Sequence, residues 1–172
     1  MNINYFVLFI ILVLGAIYLL FKPIDVKLSP HKEIAQLELN QFVVHEYDTI
    51  RLNIVLSGNE GKRYGDRYEI EDVNFTNNTD DYVENMTSDY GLYKGTLITL
   101  RHNVHYRRND GSNFIAEHVV YDENRSQART IGPFKLWKGH DSIEGNDLHY
   151  NSQSGETSAK TITGIYLLKE SM

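Results

Sequence analysis

Near the C-terminus the stretch ARTIGPFKLWKG (residues 128–139) recurs as AKTITGIYLLKE (159–170). Ala128, Thr130, Ile131, Leu136 and Lys138 correspond to Ala159, Thr161, Ile162, Leu167 and Lys169 at a constant offset of 31. The flanking residues match as well. FIAEHVVYDENRSQ (114–127) is echoed by IEGNDLHYNSQSGE (143–156) at an offset of 29, which puts a two-residue insertion in the turn between the halves. Self-similarity at this period marks a supersecondary unit stacked on copies of itself, because one unit cannot bury its apolar face alone. From about Ile34 onward no helical period is evident, so the unit reads as a β-hairpin.

Short β-rich runs continue through the body of the chain. LELNQFVVHEY, RLNIVLSG, RYEIEDVNFTN, YVENMTSDY, TLITLRHNVHYRR and NFIAEHVVYD precede PFKLWKG, SIEGNDLHYN and TGIYLLKE. The segments NEGKRYGD, NNTDD, RRNDGSN, YDENRSQ and NSQSGE separate them and are expected to be turns. Asn109-Asp110-Gly111 is a tight-hairpin signal, since Asp-Gly tolerates positive φ. Many short antiparallel strands at this spacing predict a sandwich, barrel or jelly roll.

The N-terminus differs. Ile3 to Phe21 contains no charged residue, and nineteen helical residues would span roughly 28 Å, close to a bilayer's hydrocarbon thickness. A cleaved signal peptide would have a shorter apolar core preceded by positive charge and followed by a small-residue cleavage site. None of these features is present, so an uncleaved transmembrane anchor is expected over residues 1–22, followed by a linker over 23–33 and a body over 34–172. Tyr5 and Tyr18 lie near the two ends of the run, where amphipathic rings favour the interface. Lys22, Lys27 and Lys32 would weakly favour a cytoplasmic body, and sequence alone leaves the sidedness open. All 40 charged residues follow position 21, and the net charge is −6. Without a large basic field, nucleic acid is not expected as the main partner. The absence of cysteine excludes disulfides, thiolate catalysis and Cys-based zinc sites.

No stretch carries the signature of an active site, so no catalytic residue, metal or cofactor is expected. His102 and His105, three apart in a strand, would point to opposite faces and could not share a metal. The remaining histidines (His31, His45, His118, His140 and His149) have no ligand spacing. Gly58-Asn-Glu-Gly61-Lys62 lacks the spacing of a phosphate loop and reads as a turn. Glu69, Glu71 and Asp72 alternate with Ile70 and Val73 as a solvated strand face does. Asn74, Asn77, Asn85 and Asn124 open Asn-x-Ser/Thr sequons, and an acidic residue stands two before Asn74 and Asn124. Turn segments rich in Asn, Ser and Thr also generate such triplets by chance.

The apolar pattern is the more informative signal. Phe114, Ala116, Val119, Tyr121, Phe134, Leu136, Ile143, Gly145, Leu148 and Tyr150 repeat an apolar face from strand to strand. On composition this is either a closed core or a trough inside an open sheet that takes acyl chains.

The anchor, the short proline-containing linker and the hairpin-repeat body resemble the lipopolysaccharide-export periplasmic protein family (LptC), over the whole chain. The likeness is nearest to versions from ε-class proteobacteria. It rests on FKPIDV, EGKRYGDRYEIEDVNFT, SDYGLYKG, LRHNVHYRRNDG, FIAEHVVYD, GPFKLWKG, LHYNSQSGE and AKTITGIYLLKE. The resemblance implies an incomplete antiparallel β-jelly roll of repeated hairpins, held in the periplasm by one inner-membrane helix. It further implies a non-enzymatic carrier that accepts lipopolysaccharide from the inner-membrane ABC transporter and passes it to a periplasmic bridge protein (LptA-like).

By alternation, the residues expected to contact lipid are Ile54, Leu56, Ile70, Phe75, Leu100, Val104, Phe114, Val119, Tyr121, Phe134, Leu136, Leu148 and Tyr150. The edge expected to receive the bridge protein's first strand comprises Gly164, Ile165, Tyr166, Leu167 and Leu168. The competing readings are a bitopic envelope adaptor that docks partners by strand addition without lipid, and an envelope enzyme acting on glycans.

Overall fold

The computed structural model describes residues 33–47, 52–79 and 81–167. The apolar run from Ile3 to Phe21, most of the linker, and Leu168 lie outside the described residues. Among those described, no helix is long and apolar enough to cross a membrane.

Ten strands follow in chain order: β1 (Leu37–Tyr47), β2 (Leu52–Arg63), β3 (Arg67–Asn78), β4 (Val83–Lys94), β5 (Leu97–Arg108), β6 (Ser112–Asp122), β7 (Gln127–Thr130), β8 (Pro133–Lys138), β9 (Asp141–Asn151) and β10 (Thr157–Ile165). They form one antiparallel sheet in the order β1-β2-β3-β4-β5-β6-β7-β9-β10, and β8 pairs with β6 and β9. β7 and β8 are thus two halves of one strand, interrupted at Ile131 and Gly132. The repeat in the sequence is β6 with β7 and β8, followed by β9 with β10. Of its two inserted residues only one lies in the turn, which has four residues (123–126) in the first copy and five (152–156) in the second. The other lies in β10 ahead of Ala159, beside a register shift between Ser158 and Lys160.

Turn chemistry accounts for most of the boundaries. Asn109, Asp110 and Gly111 form the loop between β5 and β6, with Gly111 at φ +90° and its N–H donating to the Arg108 carbonyl at 3.0 Å. NEGKRYGD does not behave as expected, because β2 continues to Arg63 and the turn is confined to residues 64–66. Gly58 and Gly61 are close-approach positions and not turn residues. A Cβ on Gly58 would lie 2.6 Å from Ile70 Cγ2, and one on Gly61 would lie 2.7 Å from Phe42 Cε1.

The sheet is creased across its middle. Gln41, Asp72, His102, Asn103, Asp147 and Thr161 have φ between +49° and +60°, and Gly132 has φ +87° between β7 and β8. Register shifts fall at the same level between β4 and β5, between β5 and β6, and between β9 and β10. An extra residue in one strand of a pair bends the strand and increases its twist. The crease divides the sheet into two halves. Half A ends where Thr79 N–H donates to the Tyr82 carbonyl between β3 and β4 and in the turns at 109–111 and 139–140, and half B ends in those at 64–66, 95–96, 123–126 and 152–156. The close approach of Ile70, in half B, to Gly58, in half A, shows how sharply the sheet folds on itself. His102 and Asn103 sit in the crease, so the simple alternation assumed between His102 and His105 fails there. Among the described residues no three His, Cys, Asp or Glu side chains come together as a metal site.

Candidate functional site

Residues directly opposite one another in an antiparallel sheet point to the same side. In half A one row runs without a break through nine strands: Val44, Leu56, Phe75, Met86, Tyr106, Phe114, Leu136, Ile143 and Gly164. At about 4.8 Å per strand this apolar row is roughly 38 Å long. A second row on the same side, next to the crease, aligns Val104, Ala116, Phe134 and Gly145. The Phe114 and Phe134 rings stack across these rows at 6.4 Å.

Half B continues the face. Leu39, Gly61, Ile70, Gly91, Leu100, Val119 and Thr130 form one row, and the Leu148 N–H donates to Thr130 Oγ1 at 2.9 Å to extend it. Beyond it runs Leu37, Arg63, Tyr68, Tyr93, Ile98, Tyr121, Ala128, Tyr150 and Thr157. All thirteen residues singled out from the sequence lie on this one side of the sheet. Ile54 is placed differently from the other twelve, since it shares its row with Asn77 and Glu84 at the polar end of half A. Met86 and Tyr106 escaped the sequence reading although both stand in the long row. Met86 is flanked by polar residues in ENMTSDY, and Tyr106 by His105 and Arg107. Tyr106 was legible from its position two residues after Val104.

The opposite side is polar. Its row beside the crease in half A reads Val43, Ser57, Asn74, Thr87, His105, Ile115, Lys135, Glu144 and Thr163. Lys135 Nζ reaches Glu144 Oε1 at 2.6 Å across β8 and β9. Burial keeps both His105 and His118 below the ordinary histidine range, and the Nε2 atom of each is buried without a partner.

The apolar side is only partly covered. Val73, Leu100, Val104, Ala116, Val119, Val120 and Phe134 are the buried hydrophobic residues among those described. The core cluster takes Val104, Ala116 and Phe134 from half A and Leu100 and Val119 from half B, so it sits in the crease. Away from the crease the same face opens. Leu136 is 39% exposed and Tyr150 42% exposed. Two cavities among the described residues lie against the other side: one of ≈ 730 Å³ beside the crease is lined by His105, Ile115, Lys135, Glu144 and Thr163, and one of ≈ 900 Å³ at the end of half B by Leu97, Val120, Arg129, His149 and Ser158.

The end of half A is closed by polar contacts. Glu84 accepts from Tyr106 Oη at 2.8 Å and from Asn77 Nδ2 at 2.9 Å. Burial, followed by the Glu84 contact, pushes the Tyr106 hydroxyl far above its usual range. Asp110 accepts from Arg108 at 2.6 Å and Lys138 at 2.7 Å, and these contacts hold its carboxyl far below the usual carboxylate range. The Arg108 guanidinium also lies over the Tyr82 ring at 5.0 Å.

Both end strands lack a partner on one side: among the described residues β1 pairs only with β2, and β10 only with β9. Gly164 and Ile165 belong to β10, Tyr166 and Leu167 follow it, and Leu168 lies outside the described residues. The available edge therefore begins earlier than TGIYLLKE implied, at Thr157. Ile162, Ile165, Tyr166 and Leu167 are all more than half exposed.

No family profile matches the chain, and no curated protein matches it. Among solved structures it is similar to LptH of Pseudomonas aeruginosa, described as the LptA-homologous periplasmic component of the conserved lipopolysaccharide transport device. The TM-score is 0.43 with 13% sequence identity, covering 77% of this chain and 96% of that one. A likeness of this size carries no statement about what the present chain binds.

Proposed function

We propose that this chain is a membrane-tethered carrier of lipopolysaccharide or lipooligosaccharide, with its folded body in the periplasm. The observation that carries the reading is the apolar face itself, whose rows run from edge strand to edge strand and are closed only along the crease. An ordinary core of this sheet would be covered throughout. Each CH₂ moved out of water is worth about 0.8 kcal/mol, so exposing a ~12-carbon acyl chain costs roughly 10 kcal/mol. An open apolar trough lowers that barrier without chemistry, which accords with a non-enzymatic carrier.

The remaining parts of the proposal come from the family resemblance. The run from Ile3 to Phe21 is the single inner-membrane anchor, and the body is an incomplete β-jelly roll. Lipid enters from the inner-membrane ABC transporter, whose ATP hydrolysis drives the movement, and leaves to the LptA-like bridge protein across the β10 edge. A long translocated domain overrides the weak charge bias of Lys22, Lys27 and Lys32.

The test is a photo-reactive residue placed at Leu136, in the apolar row, or at Lys135, in the polar row, in cells. Position 136 is expected to capture lipopolysaccharide at least tenfold more than position 135. Equal capture at both would place the trough elsewhere, and capture at neither would favour the adaptor that docks proteins without lipid.

A further inference from the structure

The lipid-carrying reading uses none of the four Asn-x-Ser/Thr sequons, and the structure separates them sharply. Asn74 and Asn77 lie in β3 and Asn85 in β4, two interior strands with neighbours on both sides. Asn85 Nδ2 is committed to Asn74 Oδ1 at 2.7 Å, Thr76 Oγ1 at 3.0 Å and the Phe75 carbonyl at 3.1 Å. Asn77 Nδ2 donates to Glu84 Oε1 at 2.9 Å. Asn124 is the exception. It stands exposed in the four-residue turn between β6 and β7, and no hydrogen bond engages its carboxamide. The turn is shaped by Asp122, whose Oδ1 accepts the backbone N–H groups of Asn124 at 3.1 Å and Arg125 at 3.4 Å, while Ser126 adopts φ +52°.

We infer that Asn124 is the acceptor of an N-linked oligosaccharide and that the other three sequons are silent in the folded protein. A transferase has to draw the Asn carboxamide and the hydroxyl two residues on into its own groove. An interior strand cannot leave its sheet to do so without losing the hydrogen bonds on both sides. The 123–126 turn can, and it presents Ser126 at the required spacing behind Asn124, with the carboxylate of Asp122, the last residue of β6, two residues ahead. The co-substrate is an oligosaccharide carried on a lipid diphosphate. Asn124 Nδ2 attacks the anomeric carbon, the bond from that carbon to the diphosphate oxygen breaks, the lipid diphosphate leaves with the electron pair, and the displaced amide proton passes to a base. The turn lies at a hairpin end and not on β1 or β10, so a glycan there leaves both open edges free for other chains.

The inference rests on the proposed periplasmic sidedness only for its occurrence in cells, so the deciding experiment uses purified components. Full-length protein in detergent is incubated with a single-subunit bacterial oligosaccharyltransferase and its lipid-linked oligosaccharide, then read by intact mass and glycopeptide sequencing. One glycan is expected on wild type, at Asn124. N124Q is expected to take none, and the triple variant N74Q/N77Q/N85Q is expected to match wild type. Modification of N124Q to the wild-type level overturns the inference. So does an unmodified wild-type protein under conditions that glycosylate an acceptor peptide. A body that faces the cytoplasm would leave this result unchanged and would instead fail the lipopolysaccharide capture test at position 136.

Discussion

The Phe42 ring lies against Gly61 and Gly58, so these two glycines decide whether β1 can close on β2 and β3. At Gly58 a methyl group would press on Ile70 Cγ2 and on the Glu71 carbonyl oxygen at 3.0 Å, and the backbone contact cannot yield as a rotamer can. G58A is therefore expected to cost about 1–3 kcal/mol, the range for overpacking, read as a lower urea midpoint. A second effect at this scale is set by His105 and His118, both held low chiefly by burial. The folded state favours their neutral forms, so the unfolded chain binds more protons as pH falls past about 6.5. The stability this represents is complete above that value and is lost as pH drops through the lower folded-state values. Asp66, Asp110 and Asp147 are held low and act in the same direction only below about pH 4. The urea midpoint is therefore expected to fall between pH 7.5 and 5.5, with a smaller fall in H105Q/H118Q.

Among the elements, β10 combines a side unpaired among the described residues with exposed Ile162 and Ile165 and has no proline to prevent pairing. Strand addition there would form about four or five backbone hydrogen bonds at ~1 kcal/mol each. Lysine on an edge strand is a recognised guard against such pairing. I162K/I165K is expected to weaken capture of the proposed bridge-protein partner at least tenfold with the thermal midpoint unchanged, measured by pull-down and circular dichroism. Undiminished capture would move the junction away from β10. The elements also show what was readable beforehand. Strand β1 and the turns at 109–111 and 123–126 followed from period and turn chemistry, because both are local signals. Residues 58–63 did not, because glycine serves turns and close approaches alike, and only the ring of Phe42, from another strand, distinguishes the two. The crease was equally invisible. Asp72, His102 and Asn103 look like ordinary polar strand residues until their dihedral angles are known.

For the whole molecule, the core is confined to the crease between β5, β6 and β8, while β1 and β10 are held on one side only. Local opening follows the density of buried contacts, so hydrogen exchange is expected to be slowest in β5 and β6 and fastest in β1 and β10. Uniform protection from β1 to β10 would show that the sheet opens as one unit and would contradict an open trough. The same crease has a further consequence. Residues in β1, β3, β5, β9 and β10, with Gly132 between β7 and β8, carry the bend, and regular cross-strand pairing resumes on either side of it. The aperture between the two halves is thus governed by the dihedrals and register shifts at this one level and not by the number of strands. In the proposed carrier, a spine of this kind would admit lipids of different girth with the pairing on both sides intact. For the proposed carrier, discrimination would then fall to the polar groups at the end of half A, Glu84, Arg108, Asp110 and Lys138, and not to the width of the opening.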